Sequence, residues 1–225
     1  MRTMNVYIGR HGKSESNTTL IRDSGQSPLT ELGMLQAEFS ALRFKQRGIQ
    51  KIVSSDFPRA LATAEVHAAH LGLPISLVTP LLRERRAPSV MHGRHAQNEE
   101  TQAIWRLIAE HYGDPGWKYS DEENFTDLLA RAKEMLALFE TFSEESIYAA
   151  SHDLFMKVIC AYVILGEHLN GRLFWDQFLP IKNIDHTGIM HLQFGPNYAR
   201  TAMHWKLVAW NDRAHLESLT LHQLD

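Results

Sequence analysis

The stretch "YIGRHGKSESN", Tyr7–Asn17, sets an arginine, a histidine and a glycine directly behind a short apolar run. Residues 4–8 have the β-branched and aromatic character of a strand, so Arg10 and His11 stand where that strand hands over to a loop. The same arrangement recurs along the chain. Residues 51–54 read as a second short strand, followed by Asp56 as a helix N-cap and Pro58 in the first helical turn, where a missing N–H costs nothing. That helix, which carries Arg59, runs to Leu71 and stops at Gly72. Residues 75–78 form a third strand, with Glu84 a few positions later, and residues 147–150 form a further strand that leads into His152 and an apolar helix over 154–165.

Strands alternating with longer helical patterns predict an α/β fold, with a mainly parallel mixed central sheet flanked by helices on both faces. Between the first two strands, residues 30–47 read as a helix capped by Thr30, with Leu32, Leu35, Phe39 and Leu42 at helical spacing. Residues 188–194 and 204–210 look like closing strands. The pattern blurs over 86–123, apart from an amphipathic helix near 101–112, and this stretch is expected to be a helical cap or lid inserted into a single domain spanning 1–225.

In an open parallel sheet the C-terminal strand ends share one edge, and ligands bind in the crevice there. Parallel strands would therefore bring Arg10, His11, Arg59, Glu84 and His152 together. Arginine suits bidentate recognition of phosphate oxygens, and helix N-termini add oriented N–H groups. A neutral imidazole in such a pocket can attack phosphorus and split one hard displacement into two. On this reading Arg10 holds a phosphate, His11 attacks it, and Gly12, lacking a Cβ, lets the backbone bend and approach the anion.

Composition bounds the alternatives. The 225 residues are 44% hydrophobic with a net charge of −3, which suits one folded domain and gives no field to attract nucleic acid. Cys160 is the sole cysteine, so neither a disulfide framework nor a thiolate metal cluster is expected. With neither a signal-peptide core nor an apolar run of membrane-spanning length, the expectation is a cytoplasmic protein without a membrane partner. The pairs His67/His70 and His92/His95 have i, i+3 spacing but no third ligand or HExxH arrangement, and read as surface or loop histidines rather than a metal site. Lys13 and Lys157 are possible helpers for an anion, and His215 a tie between the C-terminal segment and the core.

Taken together, "RHGKSESN", "SPLTELGMLQA", "VSSDFPRALATA", "LLRER", "ASHDLFMKVI", "DHTGI" and "LVAWNDRAHL" resemble, in order and along the whole length, the histidine phosphatase superfamily, which includes the cofactor-dependent phosphoglycerate mutases. The resemblance implies a phosphoglycerate mutase-like fold, His11 as the nucleophile that becomes phosphohistidine, and Arg10, Arg59 and His152 as a clamp on the phosphoryl group with a further hydrogen bond from Asn17. It implies Glu84 as the acid that protonates the leaving oxygen and then the base that activates water. A His-Asp pair supplies the acid in the branch containing phytases and acid phosphatases, which makes Asp153 the alternative; that branch's arginine and proline after Arg-His-Gly are missing here. The reading is a phosphatase acting on a small-molecule phosphomonoester with no cofactor and no metal. It is preferred over a mutase because "RRAPSVMHGRHAQN" after Glu84 does not resemble the mutases' substrate loop. A phosphoprotein-binding regulatory protein with weak turnover is the third option.

Overall fold

The structure, a computed structural model, describes residues 2–22, 25–199 and 201–217. Its elements run β1 (Met4–Arg10), α1 (Glu15–Thr19), α2 (Glu31–Phe44), β2 (Lys51–Ser55), α3 (Pro58–Leu71), β3 (Ile75–Thr79), α4 (Glu99–Glu110), α5 (Phe125–Glu140), β4 (Ser146–Ser151), α6 (Asp153–Leu165), β5 (Ile189–Pro196) and β6 (Met203–Asp212). The strands form one sheet in the order β3-β2-β4-β1-β5-β6. β1 pairs in parallel with β4, β4 with β2 and β2 with β3, while β5 runs antiparallel to β1 and to β6. The expected mixed, mainly parallel sheet is present, and it places the C-terminal ends of β1, β2, β3 and β4 on one edge.

Strand alternation explains how helices cover both faces. Met4, Val6 and Ile8 of β1, Val53 of β2 and Ile147 and Ala149 of β4 pack into one core with Leu128, Met135 and Phe139 of α5 and Phe155, Met156 and Ile159 of α6. Their neighbours Ile52, Tyr148 and Ala150 face the other way, against Phe44 of α2 and Ala60 and Ala64 of α3. Gly9 belongs to this second packing: a Cβ there would lie 2.7 Å from the Tyr148 hydroxyl.

Three expectations are corrected. Helix α2 buries Gly33, Ala37, Ser40, Ala41 and Phe44 instead of the expected leucine stripe, leaving Leu35 and Leu42 exposed. Small side chains win because α2 lies tight against α3, whose buried face is itself Ala60, Thr63 and Ala64. The N-cap of α3 is Phe57, without a side-chain cap; Asp56 pairs instead with Arg83, and Pro58 occupies the first turn as expected. His67 is a core residue and not a surface one, stacked at 3.9 Å on Tyr148 and bonded to Ser40. Burial drives its pKa down to about 3, so it stays neutral. Thr30 caps α2 through Gly33 N, and His215 ties to Thr187 Oγ1 at 2.9 Å.

The stretch expected as an inserted cap holds a 3-10 turn at Ser89–Met91 and α4. Met91, Ile104 and Ile108 are buried in the same core as α5 and α6. A short antiparallel clasp joins it to the loop after α1, through Gly93 N to Arg22 O, Arg22 N to Arg94 O and Ala96 N to Leu20 O. Among the described residues, no helix is long and apolar enough to cross a membrane.

Candidate active site

A cavity of about 520 Å³ opens at the C-terminal edge of the sheet, lined by Arg10, His11, Asn17, Arg59 and Glu84 among others. Each arrives there by local geometry. Arg10 ends β1, and its Nη1 donates to Ile184 O at 2.5 Å. Its Nε is buried without a partner, so one donor is left for a ligand. Arg59 sits in the first turn of α3, buried, with Nη1 donating to Gly25 O at 3.1 Å. Asn17 turns its Oδ1 to Ser14 N and Ser14 Oγ, so its amide NH2 is the group that faces outward bonding.

His11 is 4% exposed. Its Nδ1 lies 2.6 Å from Gly12 O, an acceptor, so Nδ1 carries the ring proton and Nε2 a lone pair. That lone pair accepts from Arg59 Nε at 3.1 Å. Burial, then His152, Arg59 and Arg10, hold the His11 pKa well below its usual value, keeping the imidazole neutral and nucleophilic.

His152, the N-cap of α6, stands beside His11 with ring centroids 5.0 Å apart. It is fully buried and lies behind the cavity wall, with Phe57 edge-on at 5.3 Å. Its Nε2 meets Ser55 Oγ at 3.1 Å, and Ser55 Oγ accepts from Phe57 N. The other ring nitrogen, Nδ1, is buried without a partner. Burial first, then Arg59 and Arg10, depress its pKa too.

The two candidate acids part company. Glu84 lines the cavity and accepts from Arg85 N, Leu154 N and Phe155 N, which seats it on the N-terminus of α6. Asp153 is not on the cavity wall. Its Oδ1 accepts from Ile184 N at 2.8 Å, and Ile184 O in turn holds Arg10. The arginines flanking Glu84 turn aside: Arg83 to Asp56, Arg85 over the Trp105 ring at 4.2 Å, and Arg86 Nε to Asp121 O at 2.7 Å.

Gly12 is also held by packing. A Cβ on it would lie 2.3 Å from Gly33 O, and one on Gly33 would lie 2.1 Å from Lys13 O. The glycine makes room for the start of α2 against the loop, and so fixes the loop that carries His11. Lys157 is likewise structural: its ammonium donates to Leu179 O, Ile181 O and Asn183 Oδ1.

Some residues at the site escaped the sequence. Arg131 grips Glu123 through Nε and Nη2, both at 2.9 Å, and donates through Nη1 to Leu81 O and Arg83 O. It thereby locks the turn that presents Glu84, yet in sequence it is one charge within an amphipathic helix. His186 lies 5.8 Å from His11 by ring centroids, with Nδ1 buried and unpartnered, and burial lowers its pKa to about 4. The "DHTGI" stretch was its only signal. Arg22 and His92 also line the cavity. Among the described residues, no group of three or more His, Cys, Asp or Glu side chains is placed to hold a metal ion.

Two buried guanidinium groups around a neutral imidazole can receive a tetrahedral anion and present a nucleophile to its centre. The fold and this site agree with the relationships of the chain. It belongs to the histidine phosphatase superfamily (branch 1), whose sequence profile matches residues 6–213. A curated relative, the "Probable phosphoglycerate mutase GpmB" of Yersinia pestis, is 28% identical, covering 98% of this chain and 99% of that protein. Among solved structures, a mycobacterial glucosyl-3-phosphoglycerate phosphatase superposes with a TM-score of 0.73 at 21% identity, covering 93% of this chain and 99% of the other. A phosphoserine phosphatase from Entamoeba histolytica gives 0.72 at 20% identity, covering 95% and 99%.

Proposed function

We propose that the protein is a phosphomonoester hydrolase working through a phosphohistidine on His11. The observation that carries the reading is the fixed tautomer of His11: Gly12 O holds the proton on Nδ1, and the Nε2 lone pair points at Arg59, inside the cavity. A phosphoryl group entering there takes the Arg59 Nε–H in place of His11 and finds Arg10 Nε and the Asn17 amide as further donors. His152 Nδ1, next to His11, is a further buried ring nitrogen without a partner.

The reaction has two displacements. In the first, His11 Nε2 forms a bond to phosphorus as the bond to the leaving oxygen breaks, and Glu84 gives that oxygen a proton. In the second, water attacks the phosphohistidine, Glu84 takes the water's proton, and the N–P bond breaks to free inorganic phosphate. Glu84 is chosen over Asp153 because it lines the cavity, whereas Asp153 is committed to Ile184 N. Asp153 is a positioning residue, acting on Arg10 through Ile184. Residues 86–123 form the lid-side wall that selects the rest of the substrate.

Rapid quench with a labelled phosphomonoester tests the reading. The expected result is an acid-labile label on the wild-type protein, lost within seconds and absent in His11→Ala. A label that persists until a phosphoglycerate arrives identifies a mutase, in keeping with the name of the curated relative. Absence of any label, with tight phosphopeptide binding, identifies a binding protein instead.

A further inference from the structure

Arg10 and His11 are held from behind by a residue in an unfavourable conformation. Thr187 is fully buried, and its backbone lies in the left-handed region, with a φ of 60°. A β-branched residue is disfavoured there and persists only where its surroundings hold it. In that conformation its N–H donates to Arg10 O at 3.1 Å, with His11 O at 3.4 Å. Those carbonyls belong to the two residues that the reading above sets against the phosphoryl group, at the junction of β1 with its loop.

The turn that carries Thr187 closes on Arg10 from both sides. Arg10 N donates to Gly188 O at 3.0 Å, and Arg10 Nη1 donates to Ile184 O. Outside this turn, the Thr187 side chain meets the C-terminal part of the chain: its Oγ1 lies 2.9 Å from His215 Nε2. His215 follows β6 and is 5% exposed. Its other ring nitrogen is buried without a partner, so the polar contact of the ring is with Thr187. A glycine would adopt the left-handed conformation freely, but it would offer His215 nothing to hold. A threonine needs that hold, and its hydroxyl supplies the point of attachment.

We propose that Thr187 and His215 are positioning residues for the hydrolysis. His215 fixes the Thr187 side chain, the side chain holds the left-handed backbone, and that backbone keeps its N–H on the carbonyls of Arg10 and His11. The C-terminal part of the chain thereby sets the aim of the nucleophile. Neither residue lines the cavity, so both act through the β1 junction and not on the substrate. Release of the N–H lets His11 shift against phosphorus, and the rate of a displacement falls steeply with such a shift. The proposal rests on the phosphatase reading above, which makes His11 the attacking group.

A double-mutant cycle on the whole chain, read by turnover of nitrophenyl phosphate, tests the link. His215→Ala is expected to lower kcat roughly tenfold while KM changes by less than about threefold. Thr187→Val, which keeps the branched shape without the hydroxyl, shows the same loss. Thr187→Ser stays near wild type, and His215→Gln, which still offers an N–H, recovers part of the rate. Thr187→Gly reaches the left-handed conformation unaided, so it retains most of the turnover and makes His215→Ala nearly silent in its background. A kcat for His215→Ala within about twofold of wild type overturns the proposal. So does an equal loss from His215→Ala in both backgrounds, or a loss in Thr187→Gly as deep as that in Thr187→Val. Thermal melts followed by circular dichroism establish that each variant folds, and Thr187→Val against Thr187→Ser carries the test should His215→Ala not fold. If no phosphomonoester is hydrolysed, the phosphatase reading falls, and nitrogen NMR of labelled histidine rings still decides the positioning. The signals of His11, whose Nδ1 proton is held by Gly12 O, are expected to shift or broaden in His215→Ala and to recover in the Thr187→Gly background. Unchanged His11 signals in His215→Ala overturn it.

Discussion

Arg10 and Arg59 reach the cavity from the end of a central strand and the first turn of a packed helix, whereas Arg22 and Arg85 reach it from loops. The inner pair is pinned by backbone carbonyls, Ile184 O for Arg10 and Gly25 O for Arg59. The outer pair leans on an indole ring. The difference separates two tasks. On the proposed reading, the groups that meet the reacting phosphorus are held at the sheet edge, whose geometry tolerates little displacement. The outer pair sits on loop segments whose sequence can change without disturbing that edge.

The sharpest way to break this division is at its centre. His11→Ala is expected to lower turnover by roughly 10⁴-fold or more, since removing an attacking group leaves only binding and charge. Turnover within tenfold of wild type, measured on nitrophenyl phosphate, would sink the nucleophile assignment. Next comes the support beneath it. Gly12→Ala forces a Cβ against the Gly33 carbonyl, backbone against backbone, and is expected to cost about 3 kcal/mol in urea unfolding. An unchanged midpoint would mean that the loop moves freely and is not fixed by α2.

Glu84→Gln is expected to lose roughly a hundredfold on alkyl phosphates and little on nitrophenyl phosphate, whose leaving group needs no proton. Equal losses on both would remove it from the acid role. The pH profile of stability gives a sign. The pKa of His67 falls to about 3, and those of His186 and His215 to about 4. Below the ordinary histidine value near 6.5 the unfolded chain binds protons that the folded chain refuses, so stability must fall as pH drops from there toward 4. The slope is about 1.4 kcal/mol per pH unit for each histidine, read from urea midpoints, and a flat profile would contradict their burial. Smallest is Asp153→Asn. Because it acts on Arg10 through Ile184, it is expected to raise KM by about threefold with the leaving-group preference unchanged. A selective loss on poor leaving groups would make Asp153 the acid.

The inner site was largely legible before any coordinates. Arg10, His11, Arg59, Glu84 and His152 each follow a strand, and in a parallel sheet position after a strand is position in space. The structure brings them to one edge, with His152 behind the wall and not on it. The pairing of Arg22 and Arg85 over Trp105 was not legible, because Arg22 and Trp105 are far apart in sequence and meet only through the clasp at residues 20–22 and 93–96. The face of α2 was misread for a related reason. Periodicity marks which residues share a side, but only the neighbouring helix decides which side is pressed inward, and here small residues opposite Ala60 and Ala64 pack closer than leucines would.

Local order along the chain thus determined the strands, most helix ends and the residues of the inner cup, since caps, apolar alternation and strand-to-loop junctions are short-range properties. Tertiary packing decided the tautomer of His11, the separate placements of Glu84 and Asp153, the packing around Gly12 and the company kept by each arginine. Those depend on which donor meets which acceptor across the folded molecule, and on the charge and burial that surround them, and no segment carries that information alone.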